Sequence, residues 1–369
     1  MVCLLGPIRP SRAYYHCKHC HAGQCPGDTV LGLDEGDLTP GAAEMVSLAG
    51  VLDSFATGAQ AVLPRMAGLR LSESTVRRTT EGIGREVGRR QVAGEAFGPA
   101  RDWAWHKDAE GKSCGYVSID ATGVPQQGPG GSVAEGRMAT VAMVYNPVPD
   151  SRRRWAKATG KRPVGEARYL ATLEGAAALA EPLRRQAAPV GMDRAQRWIA
   201  LSDGGAGLED WLRVNFGRVE VVILDFYHAS EHLGDLAKAW LGVGTEAAQE
   251  RHVLWAHRLK HEGGHAVLEE LRGLELPRRA ALQEVWKATV TDFENQGHRM
   301  DYPDYVAKGW QIGSGPVESA CKRVVGRRLK EGGMRWCESG LDAVCHLRAL
   351  FLSEKGQWDA SWDARRPAA

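Results

Sequence analysis

Two short, almost unbroken apolar runs, Arg197–Gly204 and Val219–Ala229, each carry an aspartate at the point where the apolar stretch stops. Runs of this kind read as buried strands, and the brief helical pattern Gly207–Phe216 between them makes a strand–helix–strand unit. Upstream, Gly115–Asp120 is a short β run, Arg137–Pro147 is a second strand ended by its proline, and Arg152–Ala158 is a weaker third. The Ala- and Leu-rich stretch Gly165–Gln186 is predicted helical. Three strands, a helix, a strand, a helix and a strand restrict the chain to a mixed sheet flanked by helices, an α/β fold.

That order is the one of the ribonuclease H-like fold, in which the first and fourth strands are neighbours. Their C-terminal ends would then place Asp120 and Asp203 side by side. A third carboxylate, Glu318, lies in the first turn of a helix predicted over Pro316–Lys330, with the proline at its first position. Two Mg²⁺ ions need converging acidic oxygens and leave the rest of their coordination to water and substrate phosphates. Asp120, Asp203 and Glu318 are therefore the candidate catalytic and metal-ligating residues for phosphodiester chemistry with Mg²⁺ or Mn²⁺. Each also has a plain structural use. Asp120 and Asp203 precede turn residues, and Glu318 suits a helix N-terminus.

The 369 residues provide for several domains. Residues 1–37 are rich in Gly, Pro and Cys; Cys17, Cys20 and Cys25, with His16, His19 or His21, are candidate Zn²⁺ ligands, and an irregular loop fits equally. Residues 38–95 read as helices, with Thr39–Pro40 opening one and Ser72 capping another after a Gly-containing turn, a helix-turn-helix candidate or an ordinary helix pair. Gly94–Gly111 is a linker; 112–230 is the first part of the core, 231–310 an all-helical insertion, 311–352 the catalytic helix with the remaining core, and 353–369 a poorly ordered tail. Overall charge points nowhere, since 47 basic residues meet 45 acidic ones. Local charge does. Lys322, Arg323, Arg327, Arg328 and Lys330 cluster after Glu318 and are candidate DNA-phosphate contacts, a solvated face being the alternative. Eight scattered Cys do not make a disulfide framework, and neither a membrane span nor a signal peptide is apparent, so a cytoplasmic, nucleoid-associated protein is expected.

Six segments in order, Tyr14–Cys20, Ser118–Pro125, Leu201–Gly207, Leu224–Leu233, Gly313–Lys322 and Arg327–Trp336 followed by Leu347–Leu350, resemble the DDE transposases of bacterial insertion sequences. The resemblance is nearest to the ISKra family, related to the Mutator-like group. It implies a ribonuclease H-like core with a helical insertion, two divalent metals, and cleavage and strand transfer at element ends. The implied partners are double-stranded DNA, as terminal inverted repeats and target, and a second copy of the chain in a synaptic homodimer. The resemblance also makes Asp203–Gly204 the second catalytic position and Asp225 with His228 an accessory Asp-x-x-His motif; capping of the following helix is the alternative use of Asp225. Family members commonly carry a further Cys pair near the N-terminus, where this chain has only Cys3, the pattern of a shortened copy. Two other functions fit less well: a non-catalytic DNA-binding protein derived from a transposase, and another ribonuclease H-like nuclease.

Overall fold

A computed structural model describes residues 1–9, 11–31, 37–148, 158, 165–354, 356–363 and 365. Its centre is a six-stranded mixed sheet. Five strands form a continuous path: β1 (Ser113–Gln127), β2 (Val133–Asn146), β3 (Glu166–Thr172), β4 (Arg197–Ser202) and β5 (Val219–Leu224). They lie in the order β5-β4-β1-β2-β3, and the short strand His106–Lys107 pairs with β1 at its start. β2 runs antiparallel to both β1 and β3, whereas β4 runs parallel to both β1 and β5.

Both faces of the sheet are covered, which explains the unbroken apolar runs of β4 and β5. On one face Val117, Ile119, Ala200 and Val222 meet Leu179, Leu183 and Leu212 of two crossover helices, Ala176–Ala187 and Leu208–Asn215. On the other, Tyr116, Met143, Ile199 and Ile223 pack against residues from the N-terminal, inserted and C-terminal helices. The insertion is helical, as expected: Phe226–Leu241, Glu246–Glu262, Gly264–Arg272 and Ala280–Gln296, with an irregular break at Leu276–Pro277. Its tryptophans serve packing. Trp255 is fully buried and stacks on Trp240, and the Trp286 indole donates to the Leu271 carbonyl.

Two expectations change. The third strand is Glu166–Thr172, within the stretch expected to be helical. There Ala167, Tyr169 and Ala171 face one side and Arg168, Leu170 and Thr172 the other, so a two-residue alternation outweighs alanine's helical preference and the helix waits until Ala176. The strand expected over Arg152–Ala158 lies, apart from residue 158, outside the described residues.

The second change concerns the described residues of the expected tail, 353–354 and 356–363, which pack onto the core. Glu354 accepts hydrogen bonds from buried Arg168 on β3 at 2.6 and 2.8 Å, and its amide bonds the Ala167 carbonyl. The helix Gln357–Asp363 that follows buries Trp358 and Trp362 against Val51, Val87 and Phe97.

The N-terminal helices Pro40–Leu52 and Glu73–Val92 pack onto the core. Pro40 opens the first, and the Ser72 hydroxyl caps the second by accepting from the Thr75 amide. Gly84 lies so close to helix Glu338–Leu352 that a Cβ there would sit 2.1 Å from the Ala343 carbonyl oxygen. At the far end of Pro40–Leu52, two buried guanidiniums donate to carbonyls that the helix itself leaves unpaired: Arg328 to Gly50 at 2.9 Å and Arg348 to Val51 at 2.5 Å. Positive charge at a helix C-terminus is favourable as well.

Candidate functional site

The parallel ladder between β1 and β4 ends at the pair Ser118–Leu201. Asp120 and Asp203 each stand two residues beyond it, so the register brings them to the same level on neighbouring strands. Contrary to expectation, Asp120 does not end its strand. β1 continues antiparallel to β2 as far as Gln127, with an irregularity around Pro125, while β4 stops at Ser202. The departure of β4 leaves Asp120 half-buried on an extended strand beside an open edge.

Glu318 approaches from a helix, Gly315–Ala320, that widens into a π-helix over Cys321–Lys330 and packs against β1. Burial pushes the Asp120 carboxyl above its usual range, and the negative charges of Asp203 and Glu318 push it the same way. The Ala121 amide, at 2.6 Å, and the Cys321 thiol, at 3.4 Å, donate to Asp120 and oppose that rise. Asp203 accepts from the Gly205 amide at 3.0 Å, and Glu318 accepts from the Ser314 hydroxyl at 2.7 Å. Each carboxylate thus has a local partner. Among the described residues no three His, Cys, Asp or Glu side chains are gathered tightly enough to hold a metal ion. The donor chemistry suits a hard cation: Asp203 and Glu318 both lie within electrostatic range of Asp120, whose carboxyl is raised first by burial and then by their charges, and a divalent ion bound there would offset that repulsion.

Asp225, at the end of β5, is 3% exposed and caps helix Phe226–Leu241. Its Oδ2 accepts from the His228 amide at 3.0 Å, and its Oδ1 from the amides of Tyr227 at 3.2 Å and Ser314 at 2.8 Å. His228 stands beside the Asp203 turn: a Cβ on Gly204 would lie 3.3 Å from its Nε2. It also meets His232, Nε2 to Nε2, at 3.3 Å.

The basic cluster divides. Lys322, Arg327 and Lys330 are exposed, Arg323 is half-buried, and Lys330 donates to the Thr122 hydroxyl, two residues past Asp120. Arg328, expected to touch DNA, is instead 1% exposed. It shares the inward face with Val324, Val325 and Leu329, and its guanidinium lies over the rings of Phe55 and Trp336.

At the N-terminus, Tyr15–His16 and Gly23–Gln24 form a two-strand ladder around the cysteine turn. Cys17 is exposed, and its thiol is held below the usual value because the amides of Cys20 and then His19, followed by the Cys20 thiol, direct hydrogens at it. Cys20 is exposed too, and Cys25 lies just before the short helix Pro26–Leu31.

Three residues of the site were not singled out from sequence. Ser314 lies one turn before Glu318, a spacing that could have suggested it. Cys321 lies one turn after Glu318. Arg299, fully buried, donates to the Ser202 hydroxyl at 2.7 Å and the Val222 carbonyl at 3.2 Å, binding the ends of β4 and β5; nothing in its surroundings along the chain marks it.

Compared with models of known protein families and with curated proteins, the chain matches none. No helix among the described residues is long and apolar enough to cross a membrane.

Proposed function

We propose that the chain is a metal-dependent DNA transposase of the DDE type with a ribonuclease H-like core, acting at the ends of an insertion sequence. The observation that carries this is the level placement of Asp120 and Asp203 beyond the last β1–β4 pair, with Glu318 near enough for its charge to act on Asp120. The strand order β5-β4-β1-β2-β3, antiparallel on one side of β1 and parallel on the other, supports the fold reading. The helical insertion between β5 and the Glu318 helix supports the family reading.

Asp120, Asp203 and Glu318 would hold Mg²⁺ or Mn²⁺, which when bound activates the attacking oxygen and stabilises the leaving one. The chain's own side chains do the rest. Lys322, Arg327 and Lys330, exposed along the helix that carries Glu318, would bind phosphates without reading sequence. His228, beside the Asp203 turn, faces the same region and would contact the DNA near the cut. Cys17 and Cys20 would supply two ligands of a structural Zn²⁺.

The test uses plasmid DNA carrying the sequences that flank the gene, incubated with Mg²⁺ and wild-type, Asp120→Ala or Glu318→Ala protein. End cleavage by the wild type should disappear in both variants while DNA binding survives. Undiminished cleavage by Asp120→Ala would falsify the mechanism.

A further inference from the structure

We propose that Asp225 is a positioning residue, which sets Glu318 relative to Asp203 through backbone hydrogen bonds and gives no oxygen to the cation. The inference rests on the reading of Asp120, Asp203 and Glu318 as a cation site. Asp225 stands where the relevant chain segments meet. Its amide donates to the Ser202 carbonyl at 3.0 Å, one residue before Asp203. Its Oδ1 accepts from the Ser314 amide at 2.8 Å, and the Ser314 hydroxyl donates to Glu318 Oε1 at 2.7 Å. A parallel bond from the Phe226 amide to the Ile312 carbonyl, 3.0 Å, keeps the two segments together. The approach is close: a Cβ on Gly313 would lie 2.8 Å from Tyr227 Cε2, so a larger residue there would have to displace that ring.

The carboxylate is already committed. With three backbone amides on its two oxygens and 3% exposure, Asp225 faces into the protein rather than toward the open edge at Asp120. A cap alone would need only Tyr227 and His228; the bond to Ser314 is the additional one, and it crosses to the catalytic helix.

Two substitutions separate positioning from ligation and from capping. Asp225→Asn, with its carbonyl in the Oδ1 place, keeps the bonds from Ser314 and Tyr227 but loses the negative charge. Asp225→Ser keeps the helix cap but is too short to reach Ser314. Mn²⁺ binding to the full chain without DNA is measured by calorimetry, with Asp120→Asn as the ligand-loss control, and amide exchange at Ser314 is followed in the metal-free proteins. The Asn variant should bind Mn²⁺ within about threefold of wild type. The Ser variant should bind on the order of 10- to 100-fold more weakly, the usual effect of losing a group that orients a ligand. Its Ser314 amide should also exchange faster than that of the Asn variant. An Asn variant as impaired as Asp120→Asn would make Asp225 a ligand, and a Ser variant that binds like wild type would make it a cap; either overturns the proposal. If wild type binds no Mn²⁺, the cation reading fails. Positioning of the loop is then decided by exchange alone, and equal Ser314 exchange in the two variants refutes it.

Discussion

Replacing Arg328 tests whether that residue holds the fold or the DNA. The guanidinium donates to the Gly50 carbonyl at 2.9 Å and lies 4.8 Å from the Phe55 ring centre and 5.0 Å from that of Trp336. A charge-assisted bond contributes roughly 1.5–3 kcal/mol, and each desolvated ring contact about 0.5–2 kcal/mol, so roughly 5 kcal/mol is at stake. Against this stands the burial of a charge that has no carboxylate bonded to it and leaves Nη2 without a partner. Burial lowers its pKa to about 10 from 12.5, an opposing cost of roughly 3 kcal/mol. The difference favours the native residue by about 2 kcal/mol. Arg328→Ala should therefore lower unfolding free energy in urea by about that much, and Arg328→Met, which fills the space but leaves Gly50 unpaired, by about 1 kcal/mol. Neither should alter the dependence of DNA affinity on salt, whereas Arg327→Ala should reduce the log–log slope by about 1. An Arg328→Ala protein of unchanged stability whose salt slope falls by about 1 refutes the structural role.

Two further outcomes follow from the site and the C-terminus. The raised Asp120 carboxyl keeps its proton to higher pH in the folded state than in the unfolded chain, so without divalent cations its own contribution to stability is full below the ordinary pKa of 3.8 and is lost as pH rises through the higher folded value, opposite in sign to the lowered carboxyls of Asp108 and Asp342. Asp120→Asn should remove that loss and be more stable than wild type at neutral pH by about 0.5–2 kcal/mol, measured by urea titration; a less stable variant contradicts the repulsion inferred among the carboxylates. Trp362→Ala, at a side chain 1% exposed, should cost roughly 3–5 kcal/mol in the same assay, and a loss below about 1 kcal/mol would return the C-terminus to a dispensable tail.

The parts of the fold legible in the sequence were those whose side-chain period is plain. β4 and β5 are apolar on both faces, and the inserted helices carry capping and breaking residues at their ends. β3 was hidden because Ala and Leu favour helix locally, while its pairing with β2 is a non-local gain. The two short tryptophan turns after Glu354 looked like a tail because their partners, Val51, Val87 and Phe97, lie far away in the chain. At the site, Asp203 showed itself just past the end of a strand and Asp120 at the end of an apolar run, although its strand continues to Gln127. The division of the basic cluster did not, because a π-helix turns its faces differently from an α-helix and puts Arg328 inward. Arg299 was invisible for a simpler reason: apart from a local bond to Gln296, its hydrogen bonds are to backbone oxygens and a hydroxyl brought in from strands earlier in the chain.

The two guanidiniums at the end of Pro40–Leu52 come from either side of the loop that joins the Glu318 helix to Glu338–Leu352. Cutting the chain in the Gly94–Gly111 segment would therefore not release a spare N-terminal module from a self-sufficient core. It would leave buried Arg328 without the Gly50 carbonyl and Arg348 with only those of Arg323 and Val324, and expose Val46, Ala49 and Val76 from the shared apolar interior. Replacement of the N-terminal segment is consequently limited to segments that bring carbonyls into register with these arginines, and change is freer on the exposed surface of Glu73–Val92 than on its buried face.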